Sequence, residues 1–496
     1  MSFILAFDQG TTNSRSIIID KNGQIVAEEE TEFKQSFPKP GWIEQDPEEI
    51  WSSQWQTAQD VLNKSGIASK DITAIGITNQ RETTILWDKE TGQAVYPAIV
   101  WQDRRTSNYC GVLRSEGLEE LFRERTGLLL DPYFSATKII WILENVPGIK
   151  EKAAQGKIAF GTVNTWLLWK LTNGKRHYID ITNASRTLLF NIHKGIWDDE
   201  LIEMLDIPFS IFPEVASNSE IYGETAAGLF SRPIPIASMI GDQQGALFGQ
   251  ACFAKGDVKC TYGTGGFILI NTGGSPVPTR HHLLTTVAYQ LGDSITYALE
   301  GSVFIAGAAV KWLRENMGII SSAAEVEALA KQVSSSEGVF FIPAFTGLGA
   351  PYWKPYARGM IAGLSRGSTK SHIARAALEG IAHQICDVFE AMQSDASLEI
   401  RRIKVDGGAS QNNLLMQIQS DYLQIPLLRP NGKEFSAIGA GFLAGLATGL
   451  WKDSAEISQL WKLDNTFEPK KNPEAAKQER LHWHKAVNLA KQWNFE

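Results

Sequence analysis

The chain has 496 residues, of which 43% are hydrophobic and 21% charged, and its formal net charge at pH 7 is -8. The length predicts two large domains with a cleft between them, and the composition is that of a soluble globular protein. The negative charge does not favour nucleic acid or an anionic membrane as a partner, and no apolar stretch approaches the roughly 20 residues that span a bilayer. The N-terminal segment lacks the pattern of a signal peptide, and four widely spaced cysteines favour reduced core thiols in a cytoplasmic protein.

The first predicted element is a strand that ends in a polar turn. The apolar run from Phe3 to Phe7 leads directly into Asp8-Gln9-Gly10-Thr11-Thr12-Asn13-Ser14-Arg15. Apolar residues at 17–19 and an Asn-Gly pair at 22–23 predict that this polar tip joins two strands. A carboxylate, a glycine and several hydroxyls at one strand end suit a metal ion and a polyphosphate. Taken alone, the tip is equally typical of an ordinary hairpin turn.

Two further strands lead into charged segments. Asp46 and Pro47 first open a predicted helix that serves packing. The strand at 72–78 then leads into Asn79-Gln80-Arg81-Glu82, and a strand at 98–101 leads into Trp101-Gln102-Asp103-Arg104-Arg105. Ligands of open α/β sheets bind beyond the carboxyl ends of strands, so we expect these two segments to lie together at a binding site. A solvated surface pair is the alternative for Arg81 and Glu82.

The segment 235–246 predicts a catalytic carboxylate. An apolar strand runs into Gly241-Asp242-Gln243-Gln244, and small residues then open a helix. Asp242 is therefore expected at a strand end above a helix N-terminus. A helix cap is the alternative, since Asp is among the best N-cap residues.

The second half of the chain repeats the opening pattern. Residues 258–270 again predict two strands joined by a polar turn, Gly263-Thr264-Gly265. We interpret this as a faint internal duplication, in which two tips face each other across a cleft, with a domain boundary near residue 250. A later strand leads into Gly407-Gly408 and a helix, whose backbone amides suit an anion or a purine. The tail beyond about residue 452 predicts a docked helix.

Some nucleotide-binding classes are excluded by missing motifs. The chain contains no Gly-x-x-x-x-Gly-Lys-Ser/Thr, and no Gly-x-Gly-x-x-Gly opens it. Phosphoryl transfer needs a clamp for the polyphosphate, a metal ion and a base near the acceptor hydroxyl. The sequence offers Asp8 for the metal, the two tips for the clamp and Asp242 for the base.

Taken in order, these segments resemble those of the glycerol kinases, within the FGGY family of carbohydrate kinases, over essentially the whole chain. The two signatures of that family are recognised at 133–145 and 359–379. The resemblance implies an α/β fold of two ribonuclease-H-like, actin-like ATPase domains around a central cleft. Residues 1–250 would form the glycerol and phosphate side, and residues 251–496 the nucleotide side.

The resemblance also implies the activity, ATP-dependent phosphorylation of glycerol to sn-glycerol 3-phosphate, with Mg²⁺, in the cytoplasm and in a homodimer or homotetramer. Asp242 would take the proton of the terminal hydroxyl as that hydroxyl attacks the γ-phosphorus, and Asp8 would lie near Mg²⁺. The residues implied to contact glycerol are Arg81, Glu82, Trp101, Tyr133, Asp242, Gln243 and Phe267. Those implied to contact the nucleotide are Thr11, Thr12, Asn13, Arg15, Thr264, Gly307, Lys311, Gly408 and Asn412.

The chain departs from many glycerol kinases in carrying Asn13 in place of Ser and Lys311 in place of Gln, and its regulatory segments match no known pattern. Two other functions stay open at this point. A sister kinase for a pentulose or another polyol would share the clamp and the base, although Arg81-Glu82 with Trp101 favours glycerol. An ATP-driven switch of the actin or chaperone type would share the clamp but needs no base. We also expect the two domains to close on their ligands.

Overall fold

The computed structural model describes residues 2–354 and 356–493. Its helices and strands are arranged around two β-sheets, one built from each half of the chain. This arrangement confirms the predicted α/β fold class. No helix in these ranges is long and apolar enough to cross a bilayer.

The first half begins with the predicted hairpin and ends at the predicted strand and helix around Asp242. Its strands are β1 (Phe3–Gln9), β2 (Asn13–Ile19), β3 (Ile25–Glu32), β4 (Glu44–Gln45), β5 (Ile72–Asn79), β6 (Ile85–Asp88), β7 (Ala98–Ile99), β8 (Ile158–Gly161), β9 (Tyr178–Asp180), β10 (Phe190–Asn191), β11 (Ile196–Trp197), β12 (Glu214–Ala216), β13 (Ser219–Glu224) and β14 (Pro235–Gly241). Its helices are α1 (Pro47–Ser65), α2 (Ser107–Ser115), α3 (Glu119–Thr126), α4 (Ser135–Asn145), α5 (Ile149–Ala154), α6 (Val163–Leu171), α7 (Ile181–Ala184), α8 (Asp199–Met204) and α9 (Asp242–Gly249).

The second half begins with another hairpin and ends in a long helix. Its strands are β15 (Val258–Tyr262), β16 (Gly266–Gly273), β17 (Leu284–Leu291), β18 (Ser294–Val303), β19 (Phe340–Ile342), β20 (Met360–Ala362), β21 (Ile403–Asp406), β22 (Leu427–Pro430) and β23 (Leu463–Phe467). Its helices are α10 (Gly307–Glu315), α11 (Glu325–Ala330), α12 (Lys370–Ala396), α13 (Asn413–Leu423), α14 (Phe435–Ala447), α15 (Ser454–Leu460) and α16 (Pro473–Gln492).

The two sheets share a five-strand pattern. The first sheet has the order β13-β14-β5-β1-β2-β3, and the second has the order β17-β18-β16-β15-β21-β22-β23. In each, a run of antiparallel strands (β3-β2-β1 or β18-β16-β15) is followed by two strands parallel to its last member (β5-β14 or β21-β22). This repeat agrees with the internal duplication expected from the two tips.

Helix α9 lies between the two sheets. Helices α1 and α6 cover one face of the first sheet, and α9 and α14 cover the other. Helix α9 also contacts β15, β16 and β17 of the second sheet, whose far face is covered by α12. Helix α14 comes from the second half of the chain but packs on the first sheet. A Cβ on Gly439 would lie 2.0 Å from the carbonyl oxygen of Gly245, so the close approach of α14 to α9 requires glycine there.

The predicted element types hold, but several bounds differ. The strand predicted at 98–101 is reduced to the two residues of β7, and the tail supplies β23 to the second sheet before the docked helix α16. Trp483 anchors α16, since its side chain is fully buried and its indole N–H donates to Asp387. Strand β23 was missed because its sequence, Leu463 to Phe467, is mostly polar and its first three residues are all exposed.

Candidate active site

The three parallel strands of the first sheet end side by side. Gln9 at the end of β1 pairs with Asn79 at the end of β5, and Asn79 pairs in turn with Gly241 at the end of β14. The polar segments that follow these strands therefore meet at one edge, as the sequence predicts. Gly241 permits the closest approach, because a Cβ there would lie 2.7 Å from Cδ of Arg81.

Arg81 is the centre of a buried charge cluster. Its guanidinium forms a bidentate ion pair with Glu300 of β18, with N···O distances of 2.5 and 2.8 Å. Its Nε lies 3.2 Å from Oδ1 of Asp242, and Nη1 donates to the side chain of Gln244. The surface-pair alternative is wrong for Arg81 and Glu82, whose residues are 3% and 1% exposed.

Arg186 completes this cluster. Its Nε donates to Glu82 at 2.7 Å and its Nη2 to Glu300 at 3.2 Å, while its Nη1 is buried without a hydrogen-bond partner. We call Arg81, Glu82, Arg186 and Glu300 the acceptor cluster. The two arginines hold the pKa of Glu300 down to about 2 against the effect of burial, so this carboxylate stays ionised. The cluster carries no net charge, which lets four charged side chains remain buried.

Asp242 lies at the open side of the acceptor cluster. It is the first residue of α9, and its side chain is 31% exposed, whereas that of Glu300 is fully buried. It accepts a hydrogen bond from the backbone N–H of Gln243 at 2.7 Å, and Gly241 is the N-cap residue of the helix. Loss of hydration raises the pKa of Asp242, and Arg81 opposes that rise. The helix-cap alternative therefore does not account for this carboxylate.

A second carboxylate, Asp8, lies near Asp242. Loss of hydration raises the pKa of Asp8 to about 6, with Asp242 adding to the rise and Arg15 opposing it. Two neighbouring carboxylates, one of which raises the pKa of the other, offer oxygen donors of the kind that Mg²⁺ prefers. The residues present therefore fit a divalent cation at the end of β1.

Gln243 is held from the second half of the chain. Lys259 of β15, which is fully buried, donates from Nζ to the side-chain oxygen of Gln243 and to Oγ1 of Thr261 at 2.9 Å. Loss of hydration lowers the pKa of Lys259, and the carboxylates of Asp406 and Asp242 oppose this. Gln243 thus presents its amide nitrogen away from β15.

Two aromatic rings border the site on its first-half side. The rings of Trp101 and Tyr133 meet edge to face with centroids 5.5 Å apart, and the Trp101 indole N–H donates to Oγ1 of Thr11 at 3.0 Å. Lys138, buried in α4, fixes the backbone of Tyr133 by donating to its carbonyl oxygen at 2.6 Å. The ring of Phe267 is partly buried on β16, where the residue pairs with Thr261.

The first tip is a closed turn whose charged residue is already paired. The backbone N–H of Gly10 donates to the carbonyl oxygen of Asn13, and Thr12 is exposed between them. The guanidinium of Arg15 pairs with Glu30 of β3 and with Glu434, which directly precedes α14. Arg15 therefore faces carboxylates from both halves of the chain.

The second tip packs against two other segments that were predicted to contact the nucleotide. The carbonyl oxygen of Gly263 accepts from the backbone N–H of Gly307, and that of Thr264 accepts from Ala306 and Ala308, at the start of α10. Gly407, with a φ of 86°, lies against the backbone of Tyr262, and Gly408 beside it has open space at its Cα. The structure thus brings the tip, the start of α10 and the Gly-Gly turn together.

Two predicted nucleotide residues have other partners in the structure. The side chain of Asn412 caps α13 by accepting from the backbone N–H of Leu415 at 2.9 Å. The side chain of Lys311 is 66% exposed, and its ammonium lies 3.8 Å from Glu315 one turn further along α10.

One predicted part of the site is wrong. Asp103 and Arg105 were expected beside Arg81, but they form a separate buried cluster with Glu44, at N···O distances of 2.8 Å. The guanidinium of Arg105 stacks between Trp42 and Trp141, 3.9 and 4.6 Å from the ring centroids. We call Glu44, Asp103 and Arg105 the tryptophan cluster. The chain turns after β7, so that only Trp101 of this segment reaches the site.

Three charged residues of the site were missed from the sequence. Arg186 comes just after the short helix α7, whereas Lys259 and Glu300 lie inside the strands β15 and β18, and none of the three follows a glycine-rich turn. The signal that could have found Glu300 is a lone charge inside the apolar run 297–303, where an unpaired carboxylate would be costly.

Comparisons with known proteins agree with this geometry. The family model described as the FGGY family of carbohydrate kinases, N-terminal domain, matches residues 3–249, and the model of the C-terminal domain matches residues 258–448. The chain is 55% identical to the glycerol kinase of Burkholderia vietnamiensis over 491 residues, which cover 99% of this chain and 98% of that protein. It is 54% identical to the glycerol kinase of Deinococcus radiodurans, with the same coverage.

Solved structures give the same result. The crystal structure of Plasmodium falciparum glycerol kinase with ADP matches with a TM-score of 0.92 and 37% identity, covering 99% of this chain and 98% of that one. The ligand-bound xylulose kinase of Lactobacillus acidophilus matches with a TM-score of 0.89 at 22% identity, over 99% of this chain and 98% of that one, which shows a common fold. With both family models matched in order and relatives aligned over nearly its full length, the chain belongs to the FGGY family of carbohydrate kinases.

Proposed function

We propose that this protein is an ATP-dependent glycerol kinase, which transfers the γ-phosphoryl group of ATP to a terminal hydroxyl of glycerol and yields sn-glycerol 3-phosphate. The observation that carries the proposal is the meeting of Arg81, Glu82, Asp242 and Gln243 at one sheet edge. The relatives of 54–55% identity named glycerol kinase support it.

Acceptor recognition follows from the charges and aromatic rings at this edge. Arg81 offers donors, Glu82 and Asp242 offer acceptors, and Gln243 offers an amide, so the three hydroxyls of glycerol can each be paired. Trp101, Tyr133 and Phe267 supply the apolar wall for the carbon atoms. An acceptor that lacks one hydroxyl leaves a buried polar group unpaired, which costs about 1 to 3 kcal/mol.

Asp242 is the proposed general base. Its partly exposed carboxylate is accessible to a terminal hydroxyl, and it accepts that hydroxyl's proton while the oxygen attacks the γ-phosphorus. The raised pKa of Asp242 makes it a stronger base than an ordinary aspartate. Arg81 stays beside it throughout, because Glu300 holds the other side of the guanidinium.

The nucleotide is held, in this proposal, from two sides. Thr11, Thr12 and Asn13 face the phosphates from the first tip, and Thr264, Gly307 and Gly408 contact the nucleotide from the second. Asp8 would hold a Mg²⁺ ion, which neutralises charge on the phosphates when bound. Arg15, Lys311 and Asn412 contribute only if their present partners, Glu434, Glu315 and the start of α13, release them.

Domain organisation, location and assembly complete the proposal. We place the domain boundary near residue 250, with the acceptor and phosphates on the side of residues 1–250 and the nucleotide on the side of 251–496. The four buried, unpaired cysteines support a reducing compartment, the cytoplasm. A homodimer or homotetramer is the expected assembly, and sedimentation analysis measures it.

The experiment that tests the function is ADP release from Mg-ATP with glycerol, dihydroxyacetone, xylulose, gluconate or no acceptor. We expect fast turnover with glycerol and little without an acceptor. Equal turnover with and without glycerol would instead favour the ATPase switch, and a preference for xylulose or gluconate would favour a sister kinase.

A further inference from the structure

We infer that Lys259 is a positioning residue for acceptor recognition, which fixes the side-chain amide of Gln243 so that its N–H groups point to the acceptor. This inference rests on the proposed function and names a residue outside the acceptor cluster. Lys259 lies in the second half of the chain, on β15, and would act on the acceptor only through Gln243.

The argument begins with the burial of Lys259. The residue is fully buried, yet no ion pair joins it to a carboxylate anywhere in residues 2–354 and 356–493. A buried ammonium without an ion-pair partner is costly, and an apolar side chain would suit a strand between two layers better. The buried ammonium group is therefore held by its hydrogen bonds to the side-chain oxygens of Gln243 and Thr261.

The chemistry of the two side chains sets the direction of the contact. A glutamine amide has an oxygen that accepts and a nitrogen that donates, and the two ends have almost the same shape. An ammonium group can only donate, so it selects the oxygen of Gln243 and turns the nitrogen away from β15. The backbone N–H of the same residue donates to Asp242, so Gln243 serves the base and the acceptor together.

A second set of contacts holds Lys259 in place. Thr261 lies two residues further along β15 and therefore on the same face of the strand. Thr261 pairs with Asp406 across β15 and β21, and the side chain of Gln250, just after α9, donates to Asp406 at 2.7 Å. A series of contacts thus runs from Gln243 through Lys259, Thr261 and Asp406 to Gln250. It is anchored at both ends of α9, which limits the movement of the Lys259 ammonium group.

The first test compares Lys259→Met with Gln243→Ala and with the double variant. Because Lys259 acts through Gln243, we expect Lys259→Met to raise KM for glycerol about ten- to a hundredfold with a much smaller change in kcat. The double variant should be no worse than Gln243→Ala alone, since the two residues form one unit. Additive effects, or a KM within twofold of that of the unmodified protein, would overturn the inference.

The matched control is Lys404, which pairs with Lys259 on the neighbouring strand β21. Its ammonium donates to the carbonyl oxygens of Gln250 and Ala251 beyond the end of α9, away from the acceptor. We expect Lys404→Met to lower thermal stability while KM for glycerol stays within twofold. An equal rise of KM in both variants would assign the effect of Lys259→Met to general loss of packing and contradict the inference.

Gln243→Glu keeps the test decisive if Lys259→Met fails to fold. The new carboxylate would form an ion pair with Lys259 and present no N–H group to the acceptor. We therefore expect a higher thermal midpoint together with a higher KM for glycerol, a combination that simple damage does not give. A lower midpoint would show that Lys259 does not hold this side chain. Glycerol-dependent turnover of the unmodified protein, measured in parallel, tests the proposed function separately.

Discussion

The acceptor cluster and the tryptophan cluster use the same chemistry for different ends. Both bury an arginine of the first half of the chain against carboxylates, and both arginines follow predicted strand ends. In the tryptophan cluster, Arg105 is stacked between two indoles and bonded to Asp103 and Glu44, so that its donors are used internally. In the acceptor cluster, Arg81 also touches Asp242, whose side chain is 31% exposed.

This difference indicates that a buried ion pair can serve a reaction only where a polar group beside it remains accessible to a ligand. The carboxylate of Asp242 is accessible in this way, and the loss of hydration around it raises its pKa. Both carboxylates of the tryptophan cluster are buried against Arg105, and the cluster joins β4, α4 and the segment after β7 into one body. Loss of charge should therefore affect turnover in the first cluster and folding in the second.

The largest effect is expected for Asp242→Asn. Removal of the proposed base should lower kcat about 10²- to 10⁴-fold while nucleotide affinity persists, because the proposed nucleotide contacts are made by other residues. Steady-state kinetics and calorimetric titration with ADP measure the two quantities. In the unmodified protein, kcat/KM should fall as pH falls through the raised pKa of Asp242, above the ordinary value of 3.8. Near-normal turnover of the variant would remove Asp242 from the role of base.

The next effect is expected for Arg105→Met in the tryptophan cluster. The change leaves Glu44 and Asp103 buried without their cation, which should cost about 3 to 5 kcal/mol of unfolding free energy. The kcat/KM of the folded fraction should stay the same, since the cluster does not reach Asp242. Denaturant unfolding measures the first quantity.

The control for Arg105→Met is Arg104→Met, the neighbouring residue. The side chain of Arg104 is 43% exposed and pairs with Asp131, so its loss should cost no more than about 1 kcal/mol. A large fall of kcat/KM in Arg105→Met, at unchanged stability, would contradict the division between the two clusters.

The smallest effect is expected for Asp8→Asn, and its sign is stabilising. The folded protein holds the pKa of Asp8 at about 6, above the value of 3.8 for an unfolded chain, so the ionised carboxylate costs stability at neutral pH. Without divalent cations, the variant should gain about 1 to 2 kcal/mol at pH 7.5. The gain should shrink as the pH falls below about 6, where Asp8 takes up its proton in the folded protein. Thermal unfolding at several pH values measures it, and a loss of stability at pH 7.5 would refute the assignment.

Much of the fold is predictable because its signals are local. The hairpin β1–β2, the start of α1 at Asp46 and Pro47, and the strand-to-helix step at Asp242 each depend on a few adjacent residues. The fold class and the membership of a kinase family were predicted from such segments taken in order, and both are confirmed.

The partners of the buried charges were not predictable in this way. Arg81 and Glu300 are 219 positions apart in the chain, and Arg105 and Glu44 are 61 apart. Nothing local distinguishes Arg81, which ends beside the partly exposed carboxylate of Asp242, from Arg105, which ends between two indoles. That distinction depends on which strand of which sheet supplies the partner, and therefore on the complete tertiary structure.

The packing of α14 on the first sheet has a consequence for biosynthesis. Residues Ile4, Ala6, Ile17 and Ile19 of the first hairpin share a core with Phe442 and Leu443 of α14, more than 400 positions later. The chain emerges from the ribosome with its N-terminus first, so the apolar face of β1 and β2 is made long before the helix that covers it. The apolar face of β1 and β2 therefore stays uncovered until α14 has been synthesised, and the core that they share with α14 can form only from that point.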